Sequence, residues 1–375
     1  MFKEILFGGT ALMGAAAIST PAASSNIGTK DAMSVTLRGE MRFNLGFYDQ
    51  DVSAGVGRGY SFIVDESELK IDARNTADNG ITYGVRIELN AATADNAGAD
   101  EAYAFLQNEW GRIELGDQDD ASDRMALHGY EVLVGQAGAD GDPADYIQFG
   151  GSTISGQGFN STGDDTKVNY FSPRFSGFQF GASLTPDSGA NSGTSSLTET
   201  DNDGNFENVF GLGANWKGKF ENIKIAAGVV GEFGDSETRT GADTEGAIKS
   251  IGVGANVTFA GFGFGAFYAD LAEKGLAQAA RAAGQDSGSY YDLGMSYSTG
   301  PWGVSLGYFS STVSNTTGIS DSTATITSLD VAYEIAPGWS LNGALHAAEA
   351  GNINGTAVPV NNDATVLIFT NIFKF

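Results

Sequence analysis

Among 375 residues there is no cysteine, and there are only two histidines and seven prolines. The first absence excludes disulfides, thiol chemistry and cysteine-ligated zinc, and the second leaves little material for histidine-based metal or acid/base catalysis. Positive charge is scarce as well. Twenty Lys and Arg stand against 46 Asp and Glu, a formal net charge of −26, which excludes a partner such as nucleic acid whose phosphates need neutralising. Glycine is plentiful instead, at 53 residues, without a Gly-X-Y period that would suggest collagen. With 24 Phe, 13 Tyr and 4 Trp, the chain carries more aromatic surface than a disordered acidic polymer does.

Residues 1–24 have the features of a secretory signal: Lys3, an apolar stretch from Ile5 to Ile18, then Ser19, Thr20 and Pro21 before small residues, with cleavage expected after Ser24 and Ala22 at the −3 position. Residues 25–375 are expected to form one domain. A cysteine-free exported chain suits a bacterial envelope better than a disulfide-stapled secreted fold.

Hydrophobicity follows a period of two. From Ser34 to Tyr48 the odd positions are Val35, Leu37, Met41, Phe43, Leu45 and Phe47, whereas the even ones include Thr36, Arg38, Glu40, Arg42 and Asn44. The alternation returns at Ile81 to Leu89, Thr323 to Ile335 and Trp339 to Ala347. Runs of this length exceed ordinary soluble strands but suit the roughly 9–11 tilted residues that cross a bilayer. Ile251 to Ala269 has nineteen residues without a charge, long enough for a membrane helix, yet five of them are glycine. Two strands turning at Ala260-Gly261 are the better reading.

Sixteen strands are expected near residues 34–48, 60–74, 80–92, 100–109, 112–118, 166–173, 176–185, 206–217, 220–233, 246–260, 261–272, 287–299, 302–314, 323–335, 338–349 and 363–375. Tight turns at Asn75 to Asn79, Trp110-Gly111, Gly218-Lys219, Gly300-Pro301 and Pro337-Gly338 alternate with long polar loops. Together these features predict an all-β chain: a sixteen-stranded antiparallel transmembrane barrel with short turns at one rim and long loops at the other.

Three stretches carry a more specific likeness: Glu101-Ala-Tyr-Ala-Phe-Leu, Trp110-Gly-Arg-Ile-Glu-Leu-Gly-Asp-Gln118, and Lys167-Val-Asn-Tyr-Phe-Ser-Pro-Arg-Phe-Ser-Gly-Phe-Gln-Phe-Gly-Ala-Ser183, with Phe373-Lys374-Phe375 at the end. They resemble the general bacterial porin family of Gram-negative outer membranes, its alphaproteobacterial members in particular. The resemblance implies a homotrimer whose long third loop folds into the lumen and narrows the pore, and a terminal aromatic signature (Phe373, Phe375) that serves assembly by the barrel-insertion machinery. The third loop maps to Asp119 through Asp165. Its Phe149-Gly150-Gly151 resembles a turn of some enteric members but follows Gln148 where those have an acid, and Glu101 stands where the family often has a base.

Selection in such a pore depends on size and fixed charge. Arg42, Lys70 and Arg86 lie toward the middle of polar strand faces, with Arg38 and Arg74 toward the short-turn end, and they form the candidate basic row of the constriction. Lipid-facing cations at mid-depth would cost about 2–4 kcal/mol, so these belong inside, with Glu40, Asp72 and Glu88 as neighbours. The third loop carries nine acids against Arg124 alone; Asp119, Asp120, Asp123, Asp142 and Asp145 are the candidate acidic side of the constriction. No cofactor is expected beyond calcium or magnesium at acidic loops. Asp201 to Glu207 starts like a calcium loop, but its glycine falls at the fourth position, two places too early for an EF-hand. No enzyme is expected either: His128 falls in the third loop and His346 on a polar strand face.

The leading expectation is an outer-membrane channel for passive diffusion of ions and small hydrophilic solutes, modestly cation-selective, embedded in lipid and lipopolysaccharide. A substrate-specific channel of the same fold would need an aromatic track, for which Tyr48 and Tyr290 are too few. A secreted acidic adhesin would show tandem repeats such as GGxGxD, and none is present. The alternation of connections predicts that cysteines placed at Gln285, Asn315 or Asn354 label with a membrane-impermeant maleimide in intact cells. Cysteines at Asn79 or Gly338 should stay unlabelled, and the reverse pattern would invert the orientation.

Overall fold

The computed structural model describes residues 33–52, 58–91, 98–139, 141–154, 156, 159–189, 205–236 and 246–375. The expected signal segment 1–24, Asp140 and residues 201–204 of the calcium-like sequence lie outside the described residues. Sixteen strands follow one another around a closed barrel: β1 (Ser34–Gln50), β2 (Tyr60–Thr76), β3 (Thr82–Asn90), β4 (Ala99–Asn108), β5 (Gly111–Asp117), β6 (Thr166–Phe171), β7 (Phe178–Asp187) and β8 (Phe206–Phe220). The second half comprises β9 (Ile223–Ser236), β10 (Ile248–Phe259), β11 (Phe262–Asp270), β12 (Ser289–Thr299), β13 (Trp302–Val313), β14 (Ser322–Ala336), β15 (Trp339–Gly351) and β16 (Asn362–Lys374). All pairs are antiparallel neighbours in sequence except the closing pair of β1 with β16, in which Arg42 sits opposite Ile372. Closure leaves no edge strand unpaired.

Period-two alternation assigns the two faces. Leu37, Met41 and Phe47 point outward and stay exposed, while Asn44 on the opposite parity is fully buried. An apolar exterior over a polar interior is the arrangement a lipid-embedded barrel requires. No helix among the described residues is long and apolar enough to cross a membrane, so the crossing elements are the strands. Aromatic rings gather at the short-turn rim, where Trp302 lies 4.4 Å from Tyr333, Trp339 5.8 Å from Phe373, and Phe262 4.6 Å from Tyr297. Such amphipathic rings belong at the level of lipid headgroups.

The hairpin of β10 and β11 turns at Ala260 and Gly261, both at positive φ, as the glycine-rich run predicts. One turn differs from expectation: β8 continues through Gly218 and Lys219 and turns at Glu221, whose φ is +51°. Gly218 stays in the strand because the Trp216 indole lies across it, in space a Cβ would need. Two short helices, α1 (Ala121–Met125) and α2 (Gln278–Ala282), interrupt long connections, and the strand alternation carried no signal for either.

The seam closes on the final residue. Gly39 and Phe375 exchange backbone hydrogen bonds, each N–H to the other's carbonyl at 2.9 Å, and the Phe375 ring occupies the position where a side chain at Gly39 would lie. Replacing Gly39 by valine should therefore expel that ring and cost about 1–3 kcal/mol, as overpacking does elsewhere. The expected readout is a lower fraction of heat-modifiable folded barrel on gels and a lower urea midpoint. An unchanged midpoint would show that the ring contributes nothing to closure.

Candidate functional site: the charged wall and the third loop

The inward face of β1 to β5 is a lattice of paired charges. Arg42 bonds Glu40 at 2.6 Å and approaches Asp65 at 3.7 Å. Lys70 bridges Glu68 at 2.8 Å and Glu88 at 2.6 Å. Arg86 bonds Asp72 at 2.7 Å, with its charge 6.0 Å from the Tyr103 ring centre. Arg38 pairs with the same Asp72, and Lys374 reaches Glu40 at 2.8 Å. Arg74 is exposed near the short-turn end of β2, away from this group. Of the five expected wall cations, Arg38, Lys70 and Arg86 thus share one ion-pair network through Asp72 and Glu88, and Arg42 belongs to a second with Glu40, Asp65 and Lys374.

One acid of this wall, Asp65, is invisible to simple parity. A bulge in β2 opposite Arg42 and Phe43 inserts Asp65 between the paired residues Val64 and Glu66. Above it the outward residues are Phe62 and Val64, and below it the polar side returns to even numbers. A bulge re-aims the chain in this way by opposing two residues to one. Asp65 and Glu66 consequently both act on Arg42. Arg112 and Arg124 form a second group, both paired with the fully buried Glu114 and stacked over Phe105 and Phe171 at 3.9 and 4.6 Å.

The connection between β5 and β6 is bonded to the inward faces of strands around the barrel. Its backbone N–H groups donate to wall side chains: Tyr130 to Asp292 at 3.0 Å, Gln136 to Asp330, Val134 to Ser305 at 3.1 Å, and Ser161 to Glu232 at 2.7 Å. Close approach is possible because glycines face it. A side chain at Gly254 or Gly294 would strike the carbonyl oxygens of Leu127 or Gly129. Beyond these bonds, Tyr146, Ile147, Phe149 and Phe159 pack with the inward Phe267, Tyr290, Phe309, Ile326 and Val366 into one apolar cluster. Tyr290 is thereby buried rather than arranged as part of an aromatic track.

The loop's acids divide into separate groups. Asp120 is fully buried and caps α1, accepting from the Asp123 N–H at 2.9 Å and the Ser122 hydroxyl at 2.6 Å. Asp119 accepts from Asn160 at 2.8 Å and clusters with Glu101 and Asp164. Burial raises the Asp119 carboxyl, and burial with Asp119 beside it pushes Asp164 up to about 7. Asp123 is pushed up by burial and by Asp119 and Asp120. Asp142 and Asp145 sit instead beside Asp65 of β2. Asp142 has a left-handed backbone, φ +59°, and accepts from Gln136 at 2.6 Å. Burial, then Asp65 and Asp145, push its carboxyl up to about 8, and burial and Asp65 raise Asp145.

Among the described residues no serine or threonine hydroxyl is bonded to either histidine. His128 Nδ1 lies 3.3 Å from Asp292 with its ring against Phe267 at 4.1 Å, and both ring nitrogens of buried His346 lack a hydrogen-bond partner. The letters G-x-S-x-G occur at Gly303 to Gly307. They lie inside β13, and the Ser305 hydroxyl there donates to the Val134 carbonyl at 3.1 Å instead of crowning a strand-to-helix elbow.

The wall carboxylates that hold loop amides make a measurable claim. Asp330→Ala leaves the buried Gln136 N–H without an acceptor, a cost of about 1–3 kcal/mol. Hydrogen exchange in a peptide covering residues 130–138 should accelerate by roughly tenfold or more while strand amides stay protected, and Asp330→Asn should restore most of the protection. Equal exchange in wild type and Asp330→Ala would show that the bond does not hold the loop.

A sequence profile of Gram-negative porins matches residues 9–352. An uncharacterised protein of Rickettsia felis is 25% identical over 327 residues, 69% of this chain and 72% of its own, and one of Rickettsia conorii is 24% identical over 326 residues with the same coverage. Among solved structures, the anion-selective porin from Comamonas acidovorans superposes with a TM-score of 0.60 at 16% identity over 91% of this chain and 100% of that one. The trimer form of OmpT from Vibrio cholerae gives 0.61 at 15% over 92% and 100%, and a mutant of the Rh. blastica porin gives 0.56 at 19% over 91% and 100%. At such identities the structural likeness speaks for the fold, a closed sixteen-stranded barrel. Together with a profile that spans nearly all of a chain built this way, it shows that the protein belongs to the Gram-negative porins, as an integral channel-forming β-barrel of the outer membrane.

Proposed function

We propose that this porin is a non-catalytic, water-filled channel for passive diffusion of ions and small hydrophilic solutes, with modest cation preference, assembled as a homotrimer. In this reading the third loop lies in the lumen and sets the constriction. The apolar cluster closes the β11 to β16 side, and the aqueous path runs between the loop and the charged wall of β1 to β5. The terminal Phe373 and Phe375 serve the insertion machinery, and the outer acidic loops face lipopolysaccharide.

One observation carries the selectivity: the wall's cations are already paired with wall acids, whereas the loop brings additional carboxylates to the same place. Around the path stand Glu40, Asp65, Glu66, Glu68, Asp72, Glu88, Asp142 and Asp145, against Arg38, Arg42, Lys70, Arg86 and Lys374. A proton on Asp142 still leaves the acids in excess. One unit charge about 4 Å from a permeant ion in water is worth about 1 kcal/mol, roughly a fivefold local enrichment. Salt screens this effect, with a Debye length of about 10 Å at 0.1 M.

The zero-current potential across a planar bilayer under a KCl gradient should therefore report cation preference, larger in dilute salt. Neutralising Asp65 with Asp145 should reduce the permeability ratio by up to about fivefold, and Arg42→Gln should raise it. Anion preference in the unmodified channel would refute this sign and leave the porin assignment standing.

A further inference from the structure

Three carboxylates from two distant segments converge where β2 bulges. Asp65 comes from the wall and Asp142 and Asp145 from the loop, with one oxygen of each lying within 4.8 Å of the others. The nearest cation is Arg42, whose Nη1 is 3.7 Å from Asp65 while its closer bond goes to Glu40. Glu66 adds a further negative charge beside Asp65.

Two polar atoms beside this cluster have no hydrogen-bond partner. One is the hydroxyl of Tyr146, a residue only 4% exposed, whose ring fills the hollow left by Gly46 and lies 6.0 Å from Tyr48. The charges acting on that hydroxyl are those of Asp145, Asp142 and Asp65. The other is the Oδ1 of Asn44, a fully buried side chain whose Nδ2 stands 3.4 Å from Asp142. Buried polar atoms left unpaired cost free energy; the Tyr146 hydroxyl is one such atom, with the charges of all three carboxylates acting on it, whereas Asn44 turns its Nδ2 toward Asp142.

We propose that Asp65, Asp142, Asp145 and the Tyr146 hydroxyl form a binding site for a hard divalent cation, calcium in preference to magnesium. An all-oxygen, irregular set drawn from a strand bulge and a loop suits calcium, which takes six to eight oxygens at about 2.3–2.6 Å in flexible geometry. Magnesium demands a near-octahedral shell and keeps its waters. An ion here would fasten the loop to β2 and cancel part of the acid excess at the constriction, so external calcium would tune the channel's ion preference. The proposal rests on the loop and wall being the constriction.

The test uses the purified trimer, stripped with EDTA, in two measurements. In planar bilayers at fixed ionic strength, added CaCl2 should lower the cation preference of the wild type with a half-effect near about 0.1–1 mM, the range of weak extracellular calcium sites. MgCl2 should act only at higher concentration. Asp65→Asn, which leaves the loop sequence intact, and the pair Asp142→Asn with Asp145→Asn should each raise the required calcium by about tenfold or more. Tyr146→Phe, which keeps the ring on Gly46, should raise it a few-fold. Heat-modifiable mobility confirms that each variant is folded. Equilibrium dialysis with radioactive calcium should show one site per chain in wild type, lost in Asp65→Asn. Equal calcium binding by wild type and Asp65→Asn, or a variant titrating like wild type in the bilayer, would reduce the effect to charge screening and overturn the site. Anion preference of the EDTA-treated channel would sink the selectivity reading alone, and dialysis would still decide the site.

Discussion

In hydrocarbon no water is at hand to satisfy a backbone N–H or C=O, so every one must find its partner within the protein. That constraint accounts for the architecture. It requires strands to pair on both sides, forces β1 onto β16 at the seam, and leaves the terminal residue bonded back to Gly39 at 2.9 Å in both directions. Once the wall is closed, each strand has one face toward lipid and one toward the interior, and a period of two in the sequence decides which side chain goes where. The exposed Phe, Leu and Val residues and the buried Asn44, Glu114 and Glu232 follow from the same rule.

The same accounting governs the third loop. A segment packed against the inner wall must also satisfy its backbone, and it does so by borrowing acceptors from the strands: Glu232, Asp292 and Asp330 each receive a loop N–H. Charged acceptors make such bonds stronger than neutral ones, so three strand carboxylates serve as anchors. On the same side as two of these anchors, inward apolar residues of β11 to β16 cluster with the loop's Tyr146, Ile147, Phe149 and Phe159. The interior is therefore unequal, with an apolar cluster holding the loop on the side of β11 to β16 and paired charges on the side of β1 to β5.

Most of the fold was legible because lipid imposes an unusually strict pattern. All sixteen strands appear within a few residues of their expected places, and the uncharged run at Ile251 resolves into β10 and β11 as its glycines indicate. What the sequence withheld was local exceptions to the period and partnerships across the lumen. The extra residue at Asp65 flips parity midway along β2, and nothing in Phe62 to Glu68 announces where the bulge falls. Gly218 read as a turn because glycine usually breaks strands, whereas here it makes room for Trp216. Asp120 and Asp142 look alike in a list of loop acids, but one caps a short helix and the other meets the opposite wall. Such differences depend on contacts between residues far apart in the chain, which composition and spacing do not encode.

Register adds a final constraint on the wall. Across β1 and β2, Arg38 stands directly opposite Lys70, and Glu40 opposite Glu68, so like charges face one another where cross-strand neighbours repel. The structure resolves this diagonally. Arg38 reaches Asp72, and Lys70 turns to Glu68 and Glu88, while Asp72 also receives Arg86 across the next pair. Each acid therefore serves two cations or each cation two acids, and removing any member redistributes the rest. Substitutions in a shared network of this kind are coupled instead of additive. In the proposed channel, ion preference is accordingly assigned to the charges of β1 to β3 with the bulge and loop acids together, and to no single arginine or aspartate.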